Sequence, residues 1–266
     1  METSDKVFVV TGGGNGIGRQ LVLELLRRGA RVTAVDIRQD SLDETVTLAD
    51  AGDRLHTEIV DITDRETAVA LPAKVLAAHG AVDGLINNAG IIQPFVRLND
   101  LDYGDIERVI AVNLWGTIHM VKAFLPHLLE RPVAHIANTS SMGGFLPVPG
   151  QTIYGAAKAA VKLMTEGLYS ELLDTAVKVS VIMPGAVGTE ITTNSGVDIP
   201  GGVDPESTKI KTTSPEEAAR IILDGIEADD LYIHVGRDSK TMSLFTRIAP
   251  QRATRMIQKR MKALLD

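Results

Sequence analysis

The chain has 266 residues, 44% of them hydrophobic and 23% charged, with a formal net charge of −7 and no cysteine. That size fits one α/β domain with a large core, and the acidic balance argues against a general affinity for nucleic acid. The lack of cysteine excludes disulfides, thiolate catalysis and thiolate metal sites. The first six residues lack the basic-then-apolar order of a signal peptide, and no apolar run reads as long enough to span a bilayer, so a cytoplasmic protein is expected. Charge is unevenly spread: residues 237–266 hold eight Lys/Arg against two Asp, a local +6 that leaves −13 on the remainder.

Residues 7–10 (Val-Phe-Val-Val) form a short apolar, β-rich run that stops at a glycine turn and reads as a buried strand. Helical spacing follows over 17–28 (Ile17, Leu21, Leu25), closed by Gly29. Strands are predicted over 31–35, 55–60, 84–86, 133–138, 177–182 and 231–235. Helices are predicted over 41–49, 65–78, 103–125, 155–173 and 215–228. Strands alternating with helices imply right-handed βαβ units and a parallel sheet covered on both faces. The least regular stretch, 188–213, reads as a functional lid or a disordered loop.

The octet Thr11-Gly-Gly-Gly-Asn-Gly-Ile-Gly18 lies between the first strand and the first helix, the context in which a glycine-rich turn is informative. Gly12, Gly16 and Gly18 allow positive φ and a close approach of backbone to a pyrophosphate, and the helix N-terminus offers unpaired N–H groups to that anion. Asp36 ends the second strand, 18 residues after Gly18, where a carboxylate accepts hydrogen bonds from ribose hydroxyls. It would repel a 2′-phosphate: like charges about 4 Å apart cost up to ~4 kcal/mol at an effective dielectric of about 20. NAD is therefore the expected cofactor. Arg38, two residues on, could pair with such a phosphate and keeps NADP as the alternative. Asp61 and the backbone N–H of Ile62, at the end of the third strand, could meet an adenine ring. Asn87-Asn-Ala-Gly90 ends the fourth strand, where small residues let the backbone lie close to a ribose.

Tyr154 and Lys158 stand four residues apart on a predicted helix and share one face. A free phenol titrates near 10, too high for a general base at neutral pH. A neighbouring ammonium and a cationic cofactor ring would favour phenolate, and lowering the pKa by about 3 requires about 4 kcal/mol. Ser141, 13 residues before Tyr154, lies just past a strand end, where its hydroxyl can hold a substrate oxygen. Ser140 is the neighbouring alternative.

With these parts in this order the chain resembles the short-chain dehydrogenase/reductase family, in its shorter, single-domain NAD-type branch, from about residue 7 to 228. The resemblance implies a Rossmann-like, three-layer α/β/α fold with a doubly wound parallel sheet of seven strands ordered 3-2-1-4-5-6-7. It implies cofactor contacts from Gly12, Asn15, Gly16, Ile17 and Gly18 of the turn, from Asp36, Asp61 and Ile62, and from Asn88, Ala89 and Gly90. Further contacts are implied from Tyr154, Lys158 and the segment carrying Pro184, Gly185, Val187 and Thr189. Tyr154 would exchange the proton with the alcohol or carbonyl oxygen, and Ser141 would orient that oxygen. Lys158 would lower the tyrosine pKa and bind the nicotinamide ribose. Asn113, in Val112-Asn113-Leu114, would hold a water beside the lysine and pass protons to solvent. The family also implies a homodimer or homotetramer through the helices around Asn113 and Tyr154.

The apolar residues Phe145, Leu146 and Val148, with Ile91, Ile92, Pro94 and Phe95, suit a hydrophobic or cyclic alcohol or ketone; core packing or subunit contact is the competing explanation. The histidines show no metal-ligand spacing, and no metal is expected. Residues 1–236 read as the catalytic domain and 237–266 as a basic amphipathic extension interrupted at Pro250. That extension could close over the substrate loop or a neighbouring subunit, dock on its own domain, or lie on a membrane. The main alternatives to an NAD-dependent dehydrogenase are an NADP-dependent carbonyl reductase and a non-catalytic dinucleotide sensor on the same fold.

Overall fold

The computed structural model describes residues 1–189, 191–197 and 212–262. The run predicted as the first strand forms β1 (Val7–Thr11), five buried residues in succession. A strand without polar alternation must be covered on both faces. β1 pairs in parallel with β2 (Arg31–Asp36) on one side and β4 (Gly84–Asn87) on the other. With β3 (Leu55–Ile59), β5 (Ala134–Thr139), β6 (Val177–Pro184) and β7 (Tyr232–Val235) it builds a seven-stranded sheet, β3-β2-β1-β4-β5-β6-β7, parallel throughout. This is the order the family resemblance implied.

Successive side chains of β1 feed opposite layers. Phe8 and Val10 pack with Leu21 and Leu25 of α1 (Gly16–Arg27), Leu42 of α2 (Gln39–Ala49) and Ile222 of α8 (Pro215–Glu227). Val7 and Val9 pack with Leu71 of α3 (Arg65–His79), Phe124 of α5 (Thr117–Leu129) and Leu168 of α6 (Thr152–Glu171). Gly84 stands beside Phe8 in register, and a Cβ there would run into the Phe8 ring. From β1 the sheet grows outward in both directions, which leaves a crevice at the carboxyl ends of β1 and β4, where ligands bind in such sheets.

Three elements differ from the sequence reading in ways that matter for the site. α4 (Tyr103–Ile110) passes into α5 through a π-helical segment, Ala111–Gly116, so the rod predicted over 103–125 carries a widened turn in its middle. It also runs through Pro126 to Leu129. The continuous 27-residue rod is long and apolar enough to cross a bilayer by length and composition, which corrects the reading that no segment reaches that length. In the fold it packs Met120, Phe124 and Leu128 against the sheet. α6 starts at Thr152, three residues before the predicted onset. Within the stretch read as irregular, Ile191–Ser195 is a short helix, α7, and the last residue of the stretch, Thr213, bridges to Val187 just before it. Residues 190 and 198–211 lie outside the described residues.

The basic extension forms α9 (Arg237–Ile248) and α10 (Pro250–Met261), with Pro250 as the first helical residue, where a missing N–H has no partner to lose. α9 docks on its own chain. Asp238 Oδ2 accepts the Ala186 N–H at 2.8 Å, and Ser239 Oγ donates to Met183 O at 2.7 Å. Lys162 and Arg247 lie 5.7 and 6.0 Å from the Tyr232 ring centre, and Tyr232 Oη donates to Glu166 at 2.6 Å. The last four residues of the extension, 263–266, lie outside the described residues.

Candidate active site

The glycine turn forms the floor of the crevice. Gly12 (φ +67°) and Gly16 (φ +53°) occupy the left-handed region that favours glycine. Gly18 is needed for packing instead: a Cβ there would collide with Gly12 O and sit 2.6 Å from Asn88 Nδ2. Asn15 caps α1 by accepting the Gly16 N–H, which presents the helix N-terminus and Ile17 to the cleft. Asp36 braces this turn, since Oδ2 accepts the Gly14 N–H at 3.0 Å and Oδ1 the Arg38 N–H at 3.2 Å. Asp36 and Arg38 both line the cleft.

Thr11, which no sequence argument singled out, ties the turn to β4. Its Oγ1 accepts the N–H groups of Asn88 (3.0 Å) and Ala89 (3.1 Å), and its carbonyl accepts from Asn88 Nδ2 at 3.3 Å. Asp61 Oδ1 accepts from the Thr63 N–H (2.9 Å) and hydroxyl (2.7 Å), the local cap that a strand-end Asp often makes. Ile62 packs where Gly116 of the π segment has no side chain, and a Cβ on Gly116 would fall 2.6 Å from it.

The π segment also sets Asn113, which is completely buried. Its Oδ1 accepts the Ile91 N–H at 3.0 Å and its Nδ2 donates to Ile91 O at 2.8 Å, so one side chain satisfies both backbone groups of Ile91. Lys158, also buried, donates from Nζ to Thr139 O at 2.9 Å. A Cβ on Gly90 would lie 2.9 Å from Asn113 Oδ1 and 3.1 Å from Lys158 Nζ, so glycine is what lets this backbone pass between them. The two serines separate cleanly. Both line the cleft, but the Ser140 hydroxyl is spent on Lys158 O at 2.7 Å, whereas the Ser141 hydroxyl accepts the Gly143 N–H at 3.0 Å and acts on the Tyr154 phenol, lowering its pKa.

Burial raises the Tyr154 phenol above its ordinary range, opposed by the Ser141 hydrogen bond, and lowers the Lys158 ammonium to about 8. Without a cofactor the only influence opposing burial at the phenol is Ser141, so the cationic cofactor ring that the sequence reading paired with the ammonium is absent from this balance.

These groups line one cleft of about 620 Å³. Its walls carry the expected residues Gly12, Asn15, Gly16 and Ile17 of the turn, Asp36, Asp61 and Ile62 of the second and third strand ends, and Asn88, Ala89 and Gly90. Ser141, Tyr154, Lys158, Pro184, Gly185, Val187 and Thr189 complete them. Gly18 and Asn113 do not line it; they support residues that do. Ile91 and Ile92 line the end beyond Tyr154 with Ile191 and Asn194 of α7, whereas Phe145, Leu146 and Val148 do not. Leu146 is buried and Phe145 stacks edge-on to His234, so packing accounts for them. Ser195 Oγ accepts the Ile92 N–H at 3.0 Å, and Arg108 donates to Ser195 O at 3.2 Å, which fastens α7 to this end.

The cleft meets the needs of a nicotinamide dinucleotide: a side-chain-free turn at a helix N-terminus, a carboxylate at the end of β2 and a buried lysine beside a tyrosine. A family described as short chain dehydrogenase matches residues 6–199. The oxidoreductase SadH of Mycobacterium tuberculosis is 36% identical over 261 residues, covering 95% of this chain and 94% of SadH. Among solved structures, a short-chain dehydrogenase/reductase from Burkholderia phymatum in complex with NAD aligns with TM-score 0.81 and 28% identity, covering 93% of this chain and 96% of that one. A short-chain dehydrogenase from Burkholderia cenocepacia J2315 in complex with NADP aligns with TM-score 0.80 and 27% identity, covering 98% and 99%. Sheet order, cleft and full-length relatives agree, and the chain belongs to the short-chain dehydrogenase/reductase family of oxidoreductases.

Proposed function

We propose that this oxidoreductase moves a hydride between NAD(H) and the carbinol or carbonyl carbon of a hydrophobic or cyclic secondary alcohol or ketone. The observation that carries the reading is the convergence of Ser141, Tyr154 and Lys158 on the cleft that also holds the glycine turn and Asp36. A bound oxidised nicotinamide dinucleotide supplies the hydride acceptor and a positive charge. Tyr154 Oη exchanges the proton with the substrate oxygen, and Ser141 Oγ, on the same cleft wall, holds that oxygen. The phenol is raised by burial, so the added positive charge is what brings it into the working range. Lys158 Nζ, held by Thr139 O, faces the cleft to bind ribose hydroxyls and keep the phenolate near a cation. Asn113 Oδ1 and Lys158 Nζ flank the same point on Gly90, close enough for one water to bridge them as a proton relay.

Asp36 supports NAD, since its carboxylate lies on the cleft wall where a 2′-phosphate would meet it. Arg38 on the same wall supports the second reading, an NADP-dependent carbonyl reductase. Exposed Tyr103, Trp115 and Leu163 along α4, the π segment and α6 support a homodimer or homotetramer through those helices. The test is absorbance at 340 nm over a panel of cyclic, steroidal and aliphatic secondary alcohols, each with NAD and NADP. Turnover of an apolar member with NAD supports the reading. Turnover with NADP alone moves the assignment to the reductase, and binding of dinucleotide without turnover of any alcohol or ketone moves it to a sensor.

A further inference from the structure

We infer that Gln93 is a positioning residue for Tyr154, acting as the N-cap of α6 from a distant part of the chain. This rests on the proton-transfer reading of Tyr154 given above. The helix that carries the tyrosine lacks a cap of its own: Gln151 precedes it and its side chain makes no capping bond. Gln93 Oε1 fills that place. It accepts the N–H of Ile153 at 2.8 Å and that of Tyr154 itself at 3.0 Å, across 60 and 61 residues of sequence. In return Gln151 Nε2 donates to Gln93 O at 2.7 Å. Gln93 is completely buried and Gln151 is 5% exposed, so neither water nor a mobile side chain substitutes for these bonds.

The segment that holds Gln93 is fixed at each of its three residues by a different part of the site. Ile91 is bound at both backbone groups by Asn113 from the π segment. Ile92 is bound by Ser195 from α7. Gln93 is bound by Gln151 and, through its own amide oxygen, grips the first turn of α6. This segment directly follows Asn88–Gly90 on the cofactor side of the cleft. The phenol is thereby referenced to the backbone that lines the dinucleotide half rather than only to its own helix. Two N–H groups of the first turn, one of them belonging to the tyrosine, set where the phenol stands relative to Ser141 on the 142–144 turn and to Lys158 one helical turn on. Of the two, Ser141 acts on the phenol directly, and Lys158 Nζ is held on Thr139 O.

The amide oxygen does this work; Gln93 Nε2 is buried with no hydrogen-bond partner. That asymmetry gives the experiment its variants. Gln93→Glu keeps the acceptor and the shape. Gln93→Leu keeps the volume and removes the acceptor. Gln93→Asn keeps the amide but withdraws its oxygen by one methylene, and serves if the leucine variant fails to fold. Each is assayed for alcohol oxidation with NAD across pH, for NADH affinity by fluorescence titration, and for thermal midpoint, beside Tyr154→Phe. The leucine and asparagine variants should lose about ten- to a hundredfold in kcat, as expected for a sub-ångström to 1 Å misplacement of a reacting group. Their NADH affinity should stay within about threefold, and the acid limb of the oxidation profile should move to higher pH as the phenolate loses its surroundings. The glutamate variant should retain kcat within about threefold of the parent. A lowered thermal midpoint with unchanged kcat and pH limb in Gln93→Leu or Gln93→Asn would make Gln93 merely structural and overturn the inference. An equal loss of kcat in Gln93→Glu would also overturn it. If Tyr154→Phe keeps full turnover, the functional reading fails first, and that outcome is distinct from failure of the inference.

Discussion

Replacing Lys158 by methionine should stabilise the fold at neutral pH while abolishing turnover. The ammonium is buried, held by one hydrogen bond to Thr139 O, with no carboxylate among the causes acting on it; burial alone lowers its pKa from 10.5 to about 8. That gap corresponds to about 3 kcal/mol of penalty for keeping the charge inside. Below pH 8 lysine is charged in both folded and unfolded chains, so the whole penalty is present. Between about 8 and 10.5 the folded chain loses its proton first, the unfolded chain holds more protons, and parent stability rises with pH. Methionine fills the same volume, escapes the penalty and forfeits one hydrogen bond of about 1 kcal/mol. Lys158→Met should therefore be more stable by about 2 kcal/mol at pH 7, with the advantage fading and reversing by about pH 10.5. Urea titrations at pH 7, 8.5 and 10 measure it. A variant less stable at pH 7, or a difference that stays flat across that range, would refute the burial argument.

Asn113→Ala should cost about 1–3 kcal/mol in urea, because both the N–H and the carbonyl of half-buried Ile91 lose their partners. Asn113→Asp should be no better, since the atom that donated to Ile91 O at 2.8 Å becomes an acceptor; stability within about 0.5 kcal/mol of the parent would contradict the clamp. Asp36→Ala should narrow the preference for NAD over NADP in fluorescence titrations, whereas an unchanged ratio would confine Asp36 to bracing Gly14 and Arg38. Tyr232→Leu removes the ring beside Lys162 and Arg247 and the bond to Glu166. It should cost about 1 kcal/mol and raise hydrogen exchange in α9, and exchange identical to the parent's would mean that the extension is held elsewhere.

The strands were legible because a sheet covered on both faces writes itself as apolar runs stopped by turns. The predicted ends of β1, β2, β4 and β7 fall within a residue or so of those found. The cleft was legible for a related reason: its parts sit at strand ends and at fixed spacing in short motifs, so sequence order already implies convergence. What escaped was everything fixed from far away. The start of α6 was misplaced because its cap is a glutamine some 60 residues upstream and not a neighbour. The π segment leaves no mark in hydrophobic periodicity, since one widened turn shifts the apolar stripe by a single residue. Thr11 was visible as the first letter of the glycine octet, yet its hydroxyl bonds to Asn88 and Ala89 depend on β1 and β4 being neighbours. The desolvation that raises the Tyr154 phenol escaped as well, because burial depends on depth, which spacing does not encode.

The most direct measurement on the central claim is turnover and NADH binding in Tyr154→Phe, taken together. Loss of nearly all oxidation at 340 nm with NADH fluorescence titrating as in the parent is the predicted result, since only the hydroxyl that exchanges the proton is gone. Substantial turnover in that variant would contradict the account.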